Sequence, residues 1–150
     1  NRAVVFTSAG DCRGTWDETR LYQLLSNLVE NAIRHGATEG PVKVEAVGKA
    51  DEVQVAVHNV GAPIPQPEIR RIFEPMKQTE EGPKRAEGLG LGLYIARAIA
   101  TAHHGAIDVK STKETGTTFT VRLPHHPSAA LAERRRVQSG RRLNDGQLPA

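Results

Sequence analysis

Polar residues in one segment of this sequence are spaced so that a helix would gather them on one edge. They lie at i, i+3, i+4, i+7 and i+8, as Asn27, Glu30, Asn31, Arg34 and His35. Residues three and four apart are neighbours on a helix surface, so amides, a carboxylate and a cation would lie together. Such a set can hold a hydrated Mg²⁺, which prefers oxygen ligands and keeps several waters, while the cation meets phosphate oxygens. An ordinary solvated helix face has the same composition, and this segment alone leaves both interpretations open.

Glycines at alternate positions mark a second segment, Gly88-Leu89-Gly90-Leu91-Gly92-Leu93, which directly opens a predicted helix. Without a Cβ in the way, backbone N–H groups can approach an anion, and the positive end of the helix dipole adds attraction. The segment therefore predicts a phosphate site. The dinucleotide-binding form of such a loop follows a strand, whereas here a charged segment precedes it, so a Rossmann-type site is not indicated.

An amide at the end of a predicted strand opens a third segment, Asn59-Val60-Gly61-Ala62-Pro63-Ile64-Pro65. The glycine and the prolines predict a turn directly after the amide. Such a turn can receive a flat heterocycle, with the amide as its hydrogen-bonding group. When the segment is taken alone, a plain structural turn is the favoured interpretation.

Apolar periodicity predicts the elements that carry these segments. Apolar residues at 3-4 spacing run from Leu21 to Ile33, preceded by Asp17 as a cap, so a helix is expected to end near residues 35–36. Residues 42–47 and 53–58 alternate apolar and polar types, which is typical of an antiparallel hairpin with one buried face. The other predicted elements are strands over 3–8 and 13–16, an extended or turning segment over 61–67, a helical turn over 68–73, a mobile loop over 74–88, a helix over 89–103, and a second hairpin over 106–111 and 117–123.

Length and charge indicate one folded domain followed by a tail. The chain has 150 residues, 38% of them hydrophobic, which suits a single compact domain over residues 1–124. The formal charge of +3 arises entirely in residues 125–150, an Arg-rich tail that we expect to be poorly ordered. The upstream charges balance, and the tail lacks aromatic residues for base stacking, so a nucleic-acid partner is not indicated.

Other general features bear on the location of the chain. It begins at Asn1 rather than Met and has no apolar run near the ~20 residues of a membrane helix, so we interpret it as an excised fragment without membrane contact. Its single cysteine, Cys12, cannot form an internal disulfide. A cytoplasmic location is expected, including as the cytoplasmic part of a membrane-bound sensor.

Taken in order, these segments resemble the catalytic domain of sensor histidine kinases, within the wider ATPase superfamily of gyrase, heat-shock chaperones and MutL. The resemblance spans about residues 3–124 and rests on four motifs in the family's order and spacing. They are an asparagine box over 27–35, a first glycine box over 57–61, a phenylalanine box over 71–75 and a second glycine box over 88–93.

The resemblance implies a fold and a ligand. The implied fold is a two-layer α/β sandwich, in which long helices cover one side of a mixed, mostly antiparallel sheet and a flexible lid closes over the nucleotide. The implied cofactors are ATP and Mg²⁺. Asn31 and Arg34 would be the catalytic residues, Asn31 as the metal ligand and Arg34 on the phosphates. The nucleotide-binding positions would be Asn27, Asn31, Arg34, His35, Asn59, Gly61, Ile64, Phe73, Gly88, Leu89, Gly90, Leu91, Gly92, Leu93 and a threonine near the adenine, Thr117 or Thr118.

One position departs from the family pattern. The family's adenine-reading residue is usually Asp, whereas this chain has Asn59, followed by Val60 and, two residues after Gly61, Pro63. An Asn oxygen can still accept a hydrogen bond from the adenine amine, but it lacks the charge that roughly doubles the strength of such a bond. The variant is similar to that of phytochrome-type light-sensing kinases.

The resemblance also implies transfer of phosphate rather than hydrolysis. Hydrolytic members of the superfamily place a Glu one turn before the Mg²⁺ asparagine, where this chain has Asn27, which cannot act as a base. No histidine here lies in a family-like phosphoacceptor sequence. The expected partners are therefore ATP and ADP, a dimerisation and histidine-phosphotransfer domain of the same kinase, and indirectly a response regulator. Two rival interpretations are a non-catalytic nucleotide-sensing or interaction module, and a protein whose basic tail binds nucleic acid or acidic lipid.

Overall fold

A five-stranded sheet and two long helices make up the computed structural model, which describes residues 2–37, 39–75 and 90–126. The elements are β1 Val4–Ala9, α1 Glu18–His35, β2 Val42–Gly48, β3 Glu52–Asn59, α2 Gln66–Ile69, α3 Gly92–Ala102, β4 Ala106–Thr112 and β5 Gly116–Pro124. The strand order is β1-β2-β3-β5-β4. β1 runs parallel to β2, and the other neighbours are antiparallel. The predicted mixed, mostly antiparallel sheet is confirmed.

Helices cover one face of this sheet. Alternate residues of β3 and β5 are buried, as the period of two along a strand requires when one face meets a core. α1 and α3 pack against each other and against that face. The buried core is formed by Leu24, Leu28, Ala32, Val42, Val44, Ala46, Val53, Val55, Val57, Phe73, Ala96, Ile99, Ala100, Phe119, Val121 and Leu123. The predicted two-layer sandwich is therefore confirmed.

α1 begins and ends where local chemistry favours it. The Asp17 carboxylate accepts a hydrogen bond from the backbone N–H of Arg20 at 3.0 Å, which caps the helix and is worth about 1 kcal/mol. At the other end the N–H of Gly36 bonds to the carbonyl of Ala32 at 3.0 Å. The predicted cap and the predicted helix end are both observed. Among the described residues, no helix has the length and apolar character needed to cross a membrane.

The predicted strand over 13–16 is wrong. The segment runs past the end of β5, where a single backbone hydrogen bond joins the N–H of Thr15 to the carbonyl of His125 at 2.9 Å. The indole N–H of Trp16 donates to the carbonyl of Pro124 at 2.8 Å. This backbone bond and several side-chain bonds, among them that of Trp16, hold the segment beside residues 124–126 without forming a strand ladder.

Two helix starts also differ from the prediction. The helical turn expected over 68–73 begins earlier, as α2 over Gln66–Ile69. It can include Pro67 because the N–H groups of a first helical turn have no partner within the helix, so the missing N–H of proline costs no hydrogen bond. The helix expected over 89–103 begins later, at Gly92, since Gly90 has a left-handed φ of 64°. Residues 76–88 of the expected loop, residue 89 of the expected helix and residues 127–150 of the expected tail lie outside the described residues.

Candidate functional site

Polar residues of α1 divide between two sides of the helix. Asn27 and Asn31 are half-buried, while Arg34 and His35 are exposed in the last turn. Glu30 does not share their edge, because it lines an apolar cavity of about 630 Å³ on the β1 side of α1. The predicted grouping of Glu30 with the asparagines is wrong, since one residue of offset rotates a helix position by about 100°.

Asn27 joins the asparagine segment to the glycine segment. A Cβ placed on Gly92 would lie 3.7 Å from the side-chain Cβ, Cγ and Oδ1 of Asn27. The two motifs are 65 positions apart in the chain and meet because α1 packs against α3. The structure thus brings the predicted metal-side and phosphate-side segments into contact.

The beginning of α3 is open to a ligand. Leu91 is its N-cap residue and makes no side-chain capping bond. The backbone N–H groups of the first turn of a helix lack intrahelical partners, and they lie at the positive end of the helix dipole. Gly90 and Gly92 carry no side chain that could cover them. An anion can therefore approach this end closely.

The amide nitrogen of Asn27 is a buried donor for which the described part of the chain offers no acceptor. Nδ2 is fully buried and has no hydrogen-bond partner among the described residues. A buried donor left unpaired costs about 1–3 kcal/mol, so native structures rarely leave one without a compensating ligand or water. Beside the open end of α3, an acceptor such as a phosphate oxygen or an ordered water would satisfy it.

A second polar cluster lies at the end of β3. Asn59 is 4% exposed and its Nδ2 donates to the carbonyl of Val60 at 3.3 Å. No hydrogen bond to its side-chain oxygen Oδ1 is found among the residues that the structure describes. Thr117 faces it across the β3–β5 register and is 5% exposed. The cluster therefore offers an amide oxygen on a largely buried residue beside a hydroxyl on another.

Ser111 completes this cluster and was not predicted. Its Oγ lies 2.7 Å from the Oγ1 of Thr117 and accepts a hydrogen bond from the backbone N–H of Ile64 at 2.9 Å. Since the serine oxygen accepts from Ile64, its own hydrogen is available for Thr117. Counting back from the turn at 113–115 would have paired Ser111 with Thr117, because they are partners in the β4–β5 register.

Strand alternation places Thr117 and Thr118 on opposite faces of the sheet. Thr117 lies on the buried face with Asn59. Thr118 lies on the opposite face, where its Oγ1 is 3.0 Å from Nδ1 of His58. Thr117 alone belongs to the cluster.

The glycine after β3 allows the two halves of the site to approach. A Cβ on Gly61 would lie 3.0 Å from the backbone nitrogen of Ala37 and 3.2 Å from the Cα of Gly36. The N–H of Ala37 donates to the carbonyl of Val60 at 2.7 Å. The end of α1 is therefore tied directly to the segment that carries Asn59.

Phe73 lies in the core rather than on the polar cluster. Its ring meets Phe119 edge-to-face, with centroids 6.2 Å apart and an interplanar angle of 85°. The guanidinium carbon of Arg97 on α3 lies 5.8 Å from its centroid. Phe73 thus anchors the end of the described segment 39–75 against the sheet and α3.

The remaining predicted site residues have these positions. Ile64 and Leu93 are half-buried and pack against the core, and Leu91 is half-buried at the start of α3. Gly88 and Leu89 lie outside the described residues. Across residues 2–37, 39–75 and 90–126, no group of three or more His, Cys, Asp or Glu side chains could hold a metal ion.

The fold and this site define a nucleotide-binding domain, and comparison with known proteins gives its family. Residues 16–127 match a family model described as histidine kinase-, DNA gyrase B- and HSP90-like ATPase. Because the match covers most of the chain, the chain belongs to this ATPase family.

Relatives indicate the branch within the family. The bacteriophytochrome of Pseudomonas aeruginosa is 38% identical over 113 residues, which are 75% of this chain and 15% of that protein. The signal transduction histidine-protein kinase AfsQ2 of Streptomyces coelicolor is 37% identical over 117 residues, which are 78% of this chain and 22% of that protein. The chain thus spans less than a quarter of the length of either relative.

A solved structure gives the same result. The nucleotide-free catalytic domain of histidine kinase ThkA is 35% identical, with a TM-score of 0.71, and the likeness covers 83% of this chain and 81% of that one. In fold and sequence this chain is a histidine kinase ATP-binding catalytic domain.

Proposed function

We propose that this domain binds Mg-ATP and positions the γ-phosphoryl group for transfer to a histidine on a separate dimerisation and phosphotransfer domain of the same kinase. The observation that carries the proposal is the unpaired, buried amide of Asn27 beside Gly92, at the uncapped start of α3. A buried donor and a row of free backbone N–H groups together suit a polyanion, and a polyphosphate supplies several acceptors at once.

Adenine recognition is assigned to the cluster at the end of β3. Ser111 accepts from Ile64 and can donate to Thr117, which leaves the hydroxyl hydrogen of Thr117 for a ligand. The oxygen of Asn59 is the neighbouring acceptor. Adenine presents an amino donor beside a ring-nitrogen acceptor on its Watson–Crick edge, which complements an acceptor at Asn59 and a donor at Thr117. Guanine presents the reverse order, so we expect ATP to be preferred over GTP.

The polyphosphate would lie between the ends of α1 and α3. Arg34 and His35 in the last turn of α1 would contact phosphate oxygens, and Gly88, Gly90 and Gly92 would offer backbone N–H groups. Asn31 would hold the Mg²⁺ through its amide oxygen. When bound, Mg²⁺ would neutralise charge on the phosphate oxygens. The contribution of the protein is placement, because phosphoryl transfer depends mainly on positioning and on charge stabilisation.

Transfer is favoured over hydrolysis by the side chains around the phosphate end. Asn27 cannot take a proton from water. Glu30, the carboxylate nearest to it in sequence on α1, lines the cavity on the other side of the helix. We therefore expect slow or no ATP hydrolysis by this domain, and phosphoryl transfer only when the acceptor domain is present.

The acceptor histidine is assigned to a different domain. His58 bonds to Thr118, His103 bonds to two backbone groups, and His125 bonds to two carbonyls, so their rings already have structural partners. A response regulator would then receive the phosphoryl group from the acceptor domain. The proposal includes a cytoplasmic location, because ATP is available there and a reducing compartment suits the free thiol of Cys12.

An alternative, a non-catalytic nucleotide-sensing or interaction module, is favoured by one feature, the neutral Asn59 where the family usually has a carboxylate. Calorimetric titration of the chain with Mg-ATP, Mg-GTP and adenosine separates the two. The kinase proposal expects a Kd of ~10 µM to 1 mM for Mg-ATP, about 4–7 kcal/mol, and weaker binding of Mg-GTP. A folded chain that binds no Mg-ATP at millimolar concentration would support the interaction module instead.

A further inference from the structure

Arg2 reaches from the start of β1 to the end of α1. Its Nε donates to the carbonyl of Gly40 at 3.0 Å. Its Nη1 donates to the carbonyls of Ala32 at 3.0 Å and Ile33 at 3.4 Å. One guanidinium therefore joins the strand that precedes α1, the last turn of α1 and the loop that follows it.

The helix needs an outside donor at this point. The carbonyl of Ile33 is one of the last four of α1 and has no partner within the helix, and one more helical bond would require the N–H of Ala37. That N–H instead donates to the carbonyl of Val60 at 2.7 Å, which ties the end of α1 to the segment after β3. Nη1 of Arg2 donates to the carbonyl of Ile33 instead. A cation is also favoured there by the negative end of the helix dipole.

Gly36 makes room for this contact. A Cβ on Gly36 would lie 2.2 Å from Nη1 of Arg2 and 2.6 Å from the carbonyl oxygen of Ala32. The guanidinium thus occupies space that a side chain at residue 36 would fill. Its other terminal nitrogen, Nη2, is buried without a partner among the described residues. The cost of burying that unpaired donor offsets part of the stabilisation from the other hydrogen bonds of Arg2.

We propose that Arg2 is a positioning residue for the nucleotide site, holding the last turn of α1 on the loop at Gly40 so that the neighbouring N–H of Ala37 stays bonded to Val60 after β3. This rests on the proposed function. The last turn carries Arg34 and His35 and follows Asn31, whereas Asn59 begins the segment to which it is tied. Arg2 therefore sets the polyphosphate end of the site relative to the adenine end, without touching the nucleotide itself.

The test compares Arg2→Met with Arg2→Lys and with the control Arg20→Met, since Arg20 is an exposed arginine of α1 whose Nη1 donates to the side chain of Gln23 at 3.1 Å. Binding of Mg-ATP and of adenosine is measured for each variant, together with the melting temperature and hydrogen exchange at Gly36 and Ala37. We expect Arg2→Met to weaken the binding of Mg-ATP about tenfold and that of adenosine less than about twofold. The displaced groups at the end of α1 are assigned to the phosphates, which adenosine lacks. Arg2→Lys should recover part of the loss, and Arg20→Met should bind like the wild type.

The outcomes separate this proposal from the proposed function. If the wild type does not bind Mg-ATP, the proposed function fails and the positioning role fails with it. Faster hydrogen exchange at Gly36 and Ala37 in Arg2→Met would then show only that Arg2 stabilises the end of α1. If the wild type binds but Arg2→Met binds equally well, the positioning role is overturned. It is also overturned if Arg2→Met weakens Mg-ATP and adenosine by the same factor, since that result indicates general loss of folding.

Discussion

The ring of His103 accepts a hydrogen bond from the backbone N–H of Asp17 at 3.1 Å, so the end of α3 is fastened to the N-cap of α1. Its other nitrogen, Nδ1, donates to the carbonyl of Ile99 at 2.8 Å. These two contacts match the ring tautomer in which Nδ1 carries the hydrogen and Nε2 is the acceptor. His103 thus links the end of α3 to the beginning of α1.

Replacing His103 with Ala should destabilise the domain by about 1–2 kcal/mol, because the N–H of Asp17 loses its acceptor and the last turn of α3 loses a donor. Denaturant unfolding measures the loss, and ¹⁵N NMR of the wild-type ring checks the tautomer. His103→Gln, which can both accept and donate, is the matched variant and should lose less. Equal loss in both variants would mean that ring packing, not the two hydrogen bonds, matters.

His125 should make the stability depend on pH. Its Nδ1 lies 2.6 Å from the carbonyl of Arg13 and its Nε2 lies 2.8 Å from that of Lys49. Only the doubly protonated ring can donate to both. The pKa of His125 is raised by the bonds to the Lys49 and Arg13 carbonyls first and by the charges of Asp11 and Asp51 in addition.

The sign of the pH effect follows from the raised pKa. Stabilisation by His125 is fully present below its unfolded pKa of about 6.5 and is lost as the pH rises through the higher folded value. Thermal unfolding from pH 5.5 to 8.5 should therefore show a decline in wild-type stability relative to His125→Gln above pH ~6.5. A difference between the two proteins that stays constant across this range would contradict the double hydrogen bond.

Ser111 should matter for both stability and adenine binding. Ser111→Ala leaves the N–H of Ile64 and the hydroxyl of Thr117 without their partner, so we expect a loss of about 1–2 kcal/mol in the free energy of unfolding. Adenosine should also bind more weakly, because Thr117 is no longer oriented. Thr112→Ala, in the adjacent exposed turn, is the control and should leave adenosine binding unchanged. Unaltered adenosine affinity in Ser111→Ala would remove Thr117 from the adenine site.

The contrast between Ser111 and α1 shows what the sequence could predict. The leucine spacing and the Asp17 cap are local signals, so α1 could be placed closely from the sequence. Ser111 bonds to Ile64 across 47 positions and Arg2 bonds to Ala32 across 30, so their roles depend on how distant segments pack. The wrong strand at 13–16 has the same cause, since local strand propensity gave no sign that the segment lies past the end of β5. Local patterns thus predict elements, and contacts between elements complete the site.

Substitutions at Asn31 and Asn59 should change the affinity for different ligands if the proposed roles of the two residues are right. Asn31 is half-buried on α1 and is assigned to Mg²⁺, whereas Asn59 is buried at the end of β3 and is assigned to adenine. Asn31→Ala should sharply weaken Mg-ATP, because an oxygen ligand of the metal is lost. Adenosine has no phosphate to bridge to a metal, so its affinity should change little. Affinity would thus be lost only for ligands that bind together with the metal.

Asn59→Asp should instead improve binding of ATP, ADP and adenosine alike by about 0.5–1.5 kcal/mol, because a carboxylate is a stronger acceptor for the adenine amine than an amide oxygen. GTP presents an oxygen at that position and should gain nothing. Calorimetric titration of both variants with Mg-ATP, Mg-GTP and adenosine checks the two expectations in one series. The placement of the nucleotide would be wrong if Asn59→Asp improved no adenine ligand, or if Asn31→Ala weakened adenosine as much as Mg-ATP.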